Sequence, residues 1–178
     1  PVDTLNDYLV LDHNRCILCG RCVRICSEVV GLHTLDFGRR GFRTVVCADL
    51  DQPLGESSCI SCGACVQACP TGAIFSKVSA YKGRTSECQE IESVCPQCSV
   101  GCEIMVLVRD NNLVKIDGAS LTGPRGQLCR RGRFDPLNET RPRITTALKR
   151  DAKGELEECS IKKALELVSG RMREIRGS

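Results

Sequence analysis

Cys59-Ile-Ser-Cys62-Gly-Ala-Cys65-Val-Gln-Ala-Cys69-Pro70 answers an earlier run, Cys16-Ile-Leu-Cys19-Gly-Arg-Cys22-Val-Arg-Ile-Cys26. Both read C-x2-C-x2-C-x3-C, a spacing that wraps three thiolates around one iron–sulfur cubane. The fourth cysteine of each run falls one helical turn beyond the third, so its sulfur faces away from its own loop and toward the other cluster. The expected ligand sets are therefore crossed. One [4Fe–4S] cluster takes Cys16, Cys19, Cys22 and Cys69; the other takes Cys59, Cys62, Cys65 and Cys26. A lone C-x2-C pair says little, but two complete runs in one short chain are specific.

Composition points the same way. Fifteen of the 178 residues are cysteine, aromatics make up 3% and tryptophan is absent, so the 42% hydrophobic content conceals a thin apolar core. Chains this poor in large side chains are usually stapled by disulfides or metal. An odd cysteine count and two-residue gaps suit metal, and metal-binding thiolates fit a reducing compartment. An oxidised cubane with its four thiolates carries roughly −2, so three of them would turn the formal +3 into roughly −3. Arg15, Arg21, Arg24, Arg130 and Arg131, all close to cysteines, then read as charge compensation rather than as a nucleic-acid surface. No apolar run reaches membrane-spanning length and no signal peptide is visible, so a cytoplasmic protein with no membrane span is expected.

Taken in order, residues 8–11 form a short strand before the first loop. Gly20 and Gly63 occupy equivalent places after Cys19 and Cys62, where a residue without Cβ permits close approach and N–H···S contacts. A helix is expected over 21–29, closing near Gly31, then an inserted hairpin over 32–50 that turns at residues 38–41. The second run repeats the plan with a helix over 64–68 and a strand over 73–77, giving a pseudo-two-fold lobe. Residues 79–93 are polar and read as a connector.

A third site follows. Cys95-Pro-Gln-Cys98-Ser-Val-Gly101-Cys102 is C-x2-C-x3-C, and Cys129 lies in Gly126-Gln-Leu-Cys129-Arg-Arg-Gly132-Arg-Phe134. Apolar strands over 103–109 and 113–117, turning at Asn111-Asn112, would return the chain so that Cys129 completes a set with Cys95, Cys98 and Cys102. Four cysteines also satisfy tetrahedral zinc, but the adjacent redox lobe favours a third [4Fe–4S] cluster. Beyond it, residues 141–144 and 151–154 are loop or short strand. Ser160 can cap a final helix with Ile161, Ala164, Leu165, Val168, Met172 and Ile175 on one face. The expected architecture is α+β: a two-[4Fe–4S] ferredoxin-like lobe (1–80), a linker (81–93), a small β-hairpin-based [4Fe–4S] domain (94–145) and an extension with a C-terminal helix (146–178).

Asp12-His-Asn-Arg-Cys16 through Cys69-Pro-Thr-Gly-Ala-Ile74 resembles the two-cluster domain of NAD-linked formate dehydrogenase catalytic subunits. It is also similar to the iron–sulfur parts of [FeFe]-hydrogenases and of the large iron–sulfur subunit of complex I. Val94-Cys-Pro-Gln-Cys-Ser-Val-Gly-Cys102 and Gly126-Gln-Leu-Cys-Arg-Arg-Gly-Arg-Phe134 resemble the cluster domain that opens molybdopterin oxidoreductases. Relatives usually begin with a [2Fe–2S] domain and a cluster held by one histidine and three cysteines, and continue into a large pterin domain; none of these is in this sequence. Arg131 stands near the place of the basic residue that bridges cluster and pterin in the formate dehydrogenases.

The resemblance implies an electron-transfer iron–sulfur subunit with three clusters, no flavin or molybdopterin of its own and no catalytic site. It would relay single electrons between flavin- and NAD(P)-binding subunits of an anaerobic, electron-bifurcating hydrogenase or transhydrogenase complex, with soluble ferredoxin as a further partner. The alternatives are a fragment or electron-input subunit of a molybdenum or tungsten formate dehydrogenase, and a zinc-and-cluster scaffold. Cys47, Cys88 and Cys159 read as free thiols, His13 as a loop contact and His33 as a strand or surface residue.

Overall fold

The computed structural model describes residues 1–120, 127–139 and 144–177. Leu9, Val10 and Leu11 are all buried, and their strand lies at the centre of a small sheet. That sheet joins β1 (Val2–Asp3) to β2 (Leu9–Asp12), and a strand from the second half of the lobe pairs on the other side of β2. The first cysteine loop leads into α1 (Arg21–Arg24), which runs on as a π-helical stretch, Ile25–Val30, and closes at Gly31 in the left-handed conformation. The helix therefore ends where the sequence indicates, with its second half wound more loosely than expected.

The inserted hairpin is β3 (Leu35–Gly38) and β4 (Val45–Ala48), in register from Leu35↔Ala48 to Gly38↔Val45. Its connection spans residues 39–44 and holds a 3₁₀ turn over Gly41–Arg43, so it is longer than the four-residue turn expected. The second loop feeds α2 (Ala64–Ala68), then β5 (Ile74–Ser76), which pairs antiparallel with β2.

The third motif is built on a sheet of three strands rather than two: β6 (Gln89–Val94), β7 (Glu103–Arg109) and β8 (Asn112–Gly118), in that order. Residues 89–94 overlap the stretch read as the 81–93 linker. Every residue of β6 is exposed, so Gln-Glu-Ile-Glu-Ser-Val shows no buried face from which a strand can be recognised. The β7–β8 turn also shifts by one residue. Arg109 pairs with Asn112, leaving Asp110 and Asn111 as the two turn residues at φ 49° and 60°. Positive φ at both positions is the type I′ geometry that matches strand twist. Cys129 then leads α3 (Arg130–Phe134).

The chain divides into two compact units, Pro1–Glu139 and Thr140–Ser178. The expected boundaries at 80, 93 and 145 do not coincide with this division. The physical reason is Phe134: it belongs to the third motif, yet it is 1% exposed in the same apolar cluster as Leu9, Leu11, Ile25, Leu35 and Ile74. Its ring stacks on Tyr8 with centroids 5.0 Å apart. A second, smaller cluster, Cys95, Ile104, Ile116 and Leu128, lies under the third motif.

The second unit holds a hairpin, β9 (Ala147–Arg150) with β10 (Leu156–Cys159), and α4 (Ile161–Gly177). Ser160 caps α4 as expected, its Oγ accepting from Lys163 N at 3.3 Å. Residues 141–143, read as loop or short strand, and Gly126 of the third motif lie outside the described residues.

Candidate iron–sulfur centres

The two cysteine loops share a backbone as well as a spacing. Leu18 and Ser61, each two residues past the first cysteine, both take φ 55°, and Gly20 and Gly63 take φ 70° and 75°. Leu18 N donates to Cys16 Sγ and Ser61 N to Cys59 Sγ, each at 3.4 Å. Amide protons aimed at sulfur stabilise negative charge there and hold the loop open around it. The second loop is further fixed from a distance. Buried Asn6 donates from Nδ2 to Ser61 Oγ at 3.0 Å, while its Oδ1 accepts from Tyr8 N and Leu9 N, each at 3.0 Å.

Each loop closes over a small cavity. Cys16, Cys19, Cys22 and Cys69 line the first, with Leu11, Val46 and Ile74 behind them. Cys26, Cys59, Cys62 and Cys65 line the second, backed by Leu9, Thr34 and Leu35. Each cavity is thus lined by three cysteines of one loop and the fourth of the other run. The same sets interact electrostatically. Burial pushes the Cys22 thiol up to about 11, with Cys16, Cys69 and Cys19 adding to it. Burial also raises Cys65 well above the usual range, reinforced by Cys62, Cys59, Cys22 and Cys26. Cys22 and Cys65 are thus close enough to link the two sets.

Cys69 goes the other way. Burial alone would raise it, but N–H donors of Ile74, Thr71 and Ala73 and the Thr71 hydroxyl outweigh that and lower its pKa. Cys59 and Cys102 are both raised, chiefly by burial; around Cys102 the neighbouring sulfurs are Cys95, Cys98 and Cys129. Cys95 N donates to Cys102 O at 2.8 Å, closing the loop between them.

All fifteen cysteines are free. Among the described residues, no group of three His, Cys, Asp or Glu side chains is gathered tightly enough to hold a single metal ion. Tetrahedral zinc needs four sulfurs about 2.3 Å from one centre; a cubane spreads its thiolates around a wider cage. Cys19, Cys98 and Cys129 are exposed, whereas no cysteine of the second set is. Of the remaining thiols, Cys88 Sγ donates to Arg84 O at 3.3 Å, Cys47 lies on β4 against Gly38, and Cys159 ends β10. His13 lines a different cavity with Asp3, Arg39, Cys47 and Asp51, and burial lowers its pKa. His33 is exposed at φ 55°.

The arginines sort differently from expectation. Exposed Arg15 pairs with partly buried Asp12 at 3.3 Å and Arg131 with Asp135, both exposed, at 4.0 Å, while Arg130 lies over the Tyr8 ring. The arginine drawn inside is Arg133, 3% exposed. Its Nε donates to Cys62 O at 2.9 Å, Nη1 to Asp117 Oδ1 at 2.6 Å and to Ile116 O at 3.3 Å, and Nη2 to Gln67 Oε1 at 3.0 Å. Gln67 in turn bonds both the N–H and the carbonyl of Gly118, at 3.1 and 2.7 Å. Nothing in the Arg-Arg-Gly-Arg string singles out its last member except the apolar Phe134 that follows.

Residues 15–73 match the 4Fe-4S dicluster domain, and residues 88–135 match the molybdopterin oxidoreductase Fe4S4 domain. The chain is 38% identical over 123 residues to the NADPH-Fe(3+) oxidoreductase subunit alpha of Geobacter sulfurreducens, covering 69% of this chain and 14% of that protein. It is 32% identical over 175 residues to NADH-quinone oxidoreductase subunit 3 of Thermus thermophilus, covering 97% and 22%. Against an NADH-quinone oxidoreductase subunit of Rhizobium meliloti it is 35% identical over 142 residues, covering 79% and 16%. The chain thus spans less than a quarter of the length of these relatives. A solved chain of an NAD+-reducing [NiFe]-hydrogenase in the H2-reduced state aligns with 48% of this chain and 37% of its own, at 32% identity and a TM-score of 0.43.

Proposed function

We propose, from a chain that carries a 4Fe-4S dicluster domain followed by a molybdopterin oxidoreductase Fe4S4 domain, that this protein is the iron–sulfur electron relay of an NAD(P)H-linked oxidoreductase complex. The observation that carries the reading is the pair of cavities, each lined by three cysteines of one loop and the fourth of the other run. The donor sets suit [4Fe–4S] clusters: four thiols line each cavity, and an amide proton meets a sulfur in each of the paired loops. Clusters held by them would take up and release one electron at a time.

The chain's own residues then have definite work. Cys16, Cys19, Cys22 and Cys69 hold the first centre, Cys26, Cys59, Cys62 and Cys65 the second, and Cys95, Cys98, Cys102 and Cys129 the third. Leu11, Val46 and Ile74 at the first, and Leu9 and Leu35 at the second, give the cavities an apolar backing. The exposed cysteines of the first and third sets, Cys19, Cys98 and Cys129, give a relay points that partners can reach. Substrate chemistry, in this reading, belongs to partners. Those partners are flavin- and NAD(P)-binding subunits of an electron-bifurcating transhydrogenase or hydrogenase complex in the cytoplasm, with soluble ferredoxin as a further electron carrier. The relatives' names support this, since they join NADH or NADPH to a second acceptor. A second reading, the electron-input part of a molybdenum or tungsten formate dehydrogenase, is favoured by the family match over residues 88–135.

The test is metal analysis with an EPR-monitored redox titration of the anaerobically prepared chain. About twelve iron atoms and no zinc are expected; about eight iron and one zinc would place a structural metal at the third set. Cys26→Ser should alter the signal of the cluster on Cys59, Cys62 and Cys65 while sparing that on Cys16, Cys19 and Cys22. A change confined to the first loop's signal would reverse the crossed assignment. Flavin rather than molybdenum or tungsten in the complex that copurifies with the chain separates the two partner readings.

A further inference from the structure

Arg133 is a full positive charge placed where a purely structural residue would not need one. It reaches Cys62 O in the second loop from 71 residues away in the chain and is 3% exposed. Its Asp117 partner does not cancel it, because Lys115 Nζ also lies 2.6 Å from that carboxylate, leaving two cations on one anion. Burial removes the water that would otherwise screen the charge from the neighbouring sulfurs. Burial also lowers the Arg133 pKa against the opposing effect of Asp117, Cys62 and Cys65, but a guanidinium stays protonated at any pH the fold meets. The second loop is shaped to admit it: a Cβ on Gly63 would lie 2.4 Å from Arg133 Cδ.

We propose that Arg133 is a positioning and charge-tuning residue that raises the reduction potential of the centre on Cys26, Cys59, Cys62 and Cys65 and so sets the potential step between that centre and the third cysteine set. Reduction adds one negative charge to a cluster, and a fixed cation nearby favours the reduced form, as a neighbouring cation favours an ionised carboxylate. Through Gln67 and Asp117 the same side chain ties the second loop to β8, so the charge is held in place by the sheet that carries the third set. The inference rests on the cluster-binding reading of the loops.

A redox titration of the full chain by EPR, with the second-set signal identified through Cys26→Ser, tests it. In Arg133→Met that signal moves to lower potential. At the wild-type midpoint its reduced-to-oxidised ratio falls about tenfold, equivalent to about 59 mV for one electron, while the first-set signal moves less. Asp117→Asn, which leaves the guanidinium and removes its counter-charge, shifts the second-set signal upward. Arg133→Lys keeps the charge but not the fork, so it holds the potential while the thermal midpoint drops. A role in packing alone predicts lost stability in all three variants with no pair of opposite shifts. If Arg133→Met fails to fold, an upward shift in Asp117→Asn with an unchanged potential in Arg133→Lys sustains the inference, and an unmoved Asp117→Asn overturns it. A wild-type chain without iron overturns the cluster reading and this inference together; iron-loaded variants with unmoved potentials overturn this inference alone.

Discussion

Gly63 concentrates two separate constraints in one residue. Its φ of 75° is a left-handed conformation that costs an L side chain roughly 1–2 kcal/mol, and the absent Cβ leaves room for Arg133 and, 3.0 Å away, for the Phe134 ring. Gly72, in the turn after Cys69, has a similar φ of 64° but nothing within 4 Å of its Cβ position. The pair separates backbone strain from crowding. Gly72→Ala should cost about 1–2 kcal/mol, and Gly63→Ala should cost about 1–3 kcal/mol more through overpacking. Equal losses in denaturant unfolding of the cluster-loaded chains would show that the Arg133 contact is slack. Among the cysteines, burial raises the thiol pKa of Cys22 and Cys65.

Among the elements, the helices that follow the loops are short because their task is directional. α2 spans five residues, enough to carry the chain from Cys65 to Cys69, whose sulfur lines the first cavity rather than the second. The π-helical continuation of α1 does the same for Cys26, which lines the second cavity. α3 has a different role. Cys129 stands at its N-cap, and Gly132 one turn on leaves Cys95 Sγ within 3.0 Å of where a Cβ would be. The residues of the third set come from the β6–β7 loop and the start of α3. Cys129→Ser should remove one cluster, about four iron atoms, and leave the two loop-bound EPR signals unchanged. Loss of all three signals would mean that the third set is needed to fold the rest.

At the scale of the whole molecule, the first unit has one shared interior. Its principal apolar cluster contains residues from both halves of the paired-loop lobe and Phe134 from the third motif. Truncating a buried ring of this kind typically costs about 3–5 kcal/mol. Phe134→Ala should therefore lower the single unfolding transition of Pro1–Glu139 as a whole. A calorimetric trace in which the third motif melts separately in the wild-type chain would contradict a common core. The second unit contrasts with this. No residue of α4 is buried, and Ile161, Leu165, Val168 and Met172 are 53–70% exposed. Among the described residues, none is a helix long and apolar enough to cross a membrane.

What the sequence determined by itself was local: the turns of the loops through Gly20 and Gly63, the helix over 64–68, and the Ser160 cap. Spacing and backbone conformation of this kind are encoded within a few residues. Tertiary structure alone decided three things. Residues 89–94 became a strand because β7 offered an edge, although neither face of that segment is buried. Phe134 joined the lobe's interior by stacking on Tyr8, across most of the chain's length. Arg133, one of three arginines in a row of four residues, was drawn inside by Cys62, Gln67 and Asp117. Each depends on partners distant in sequence, and no periodicity or composition records which of several equal side chains such partners will meet.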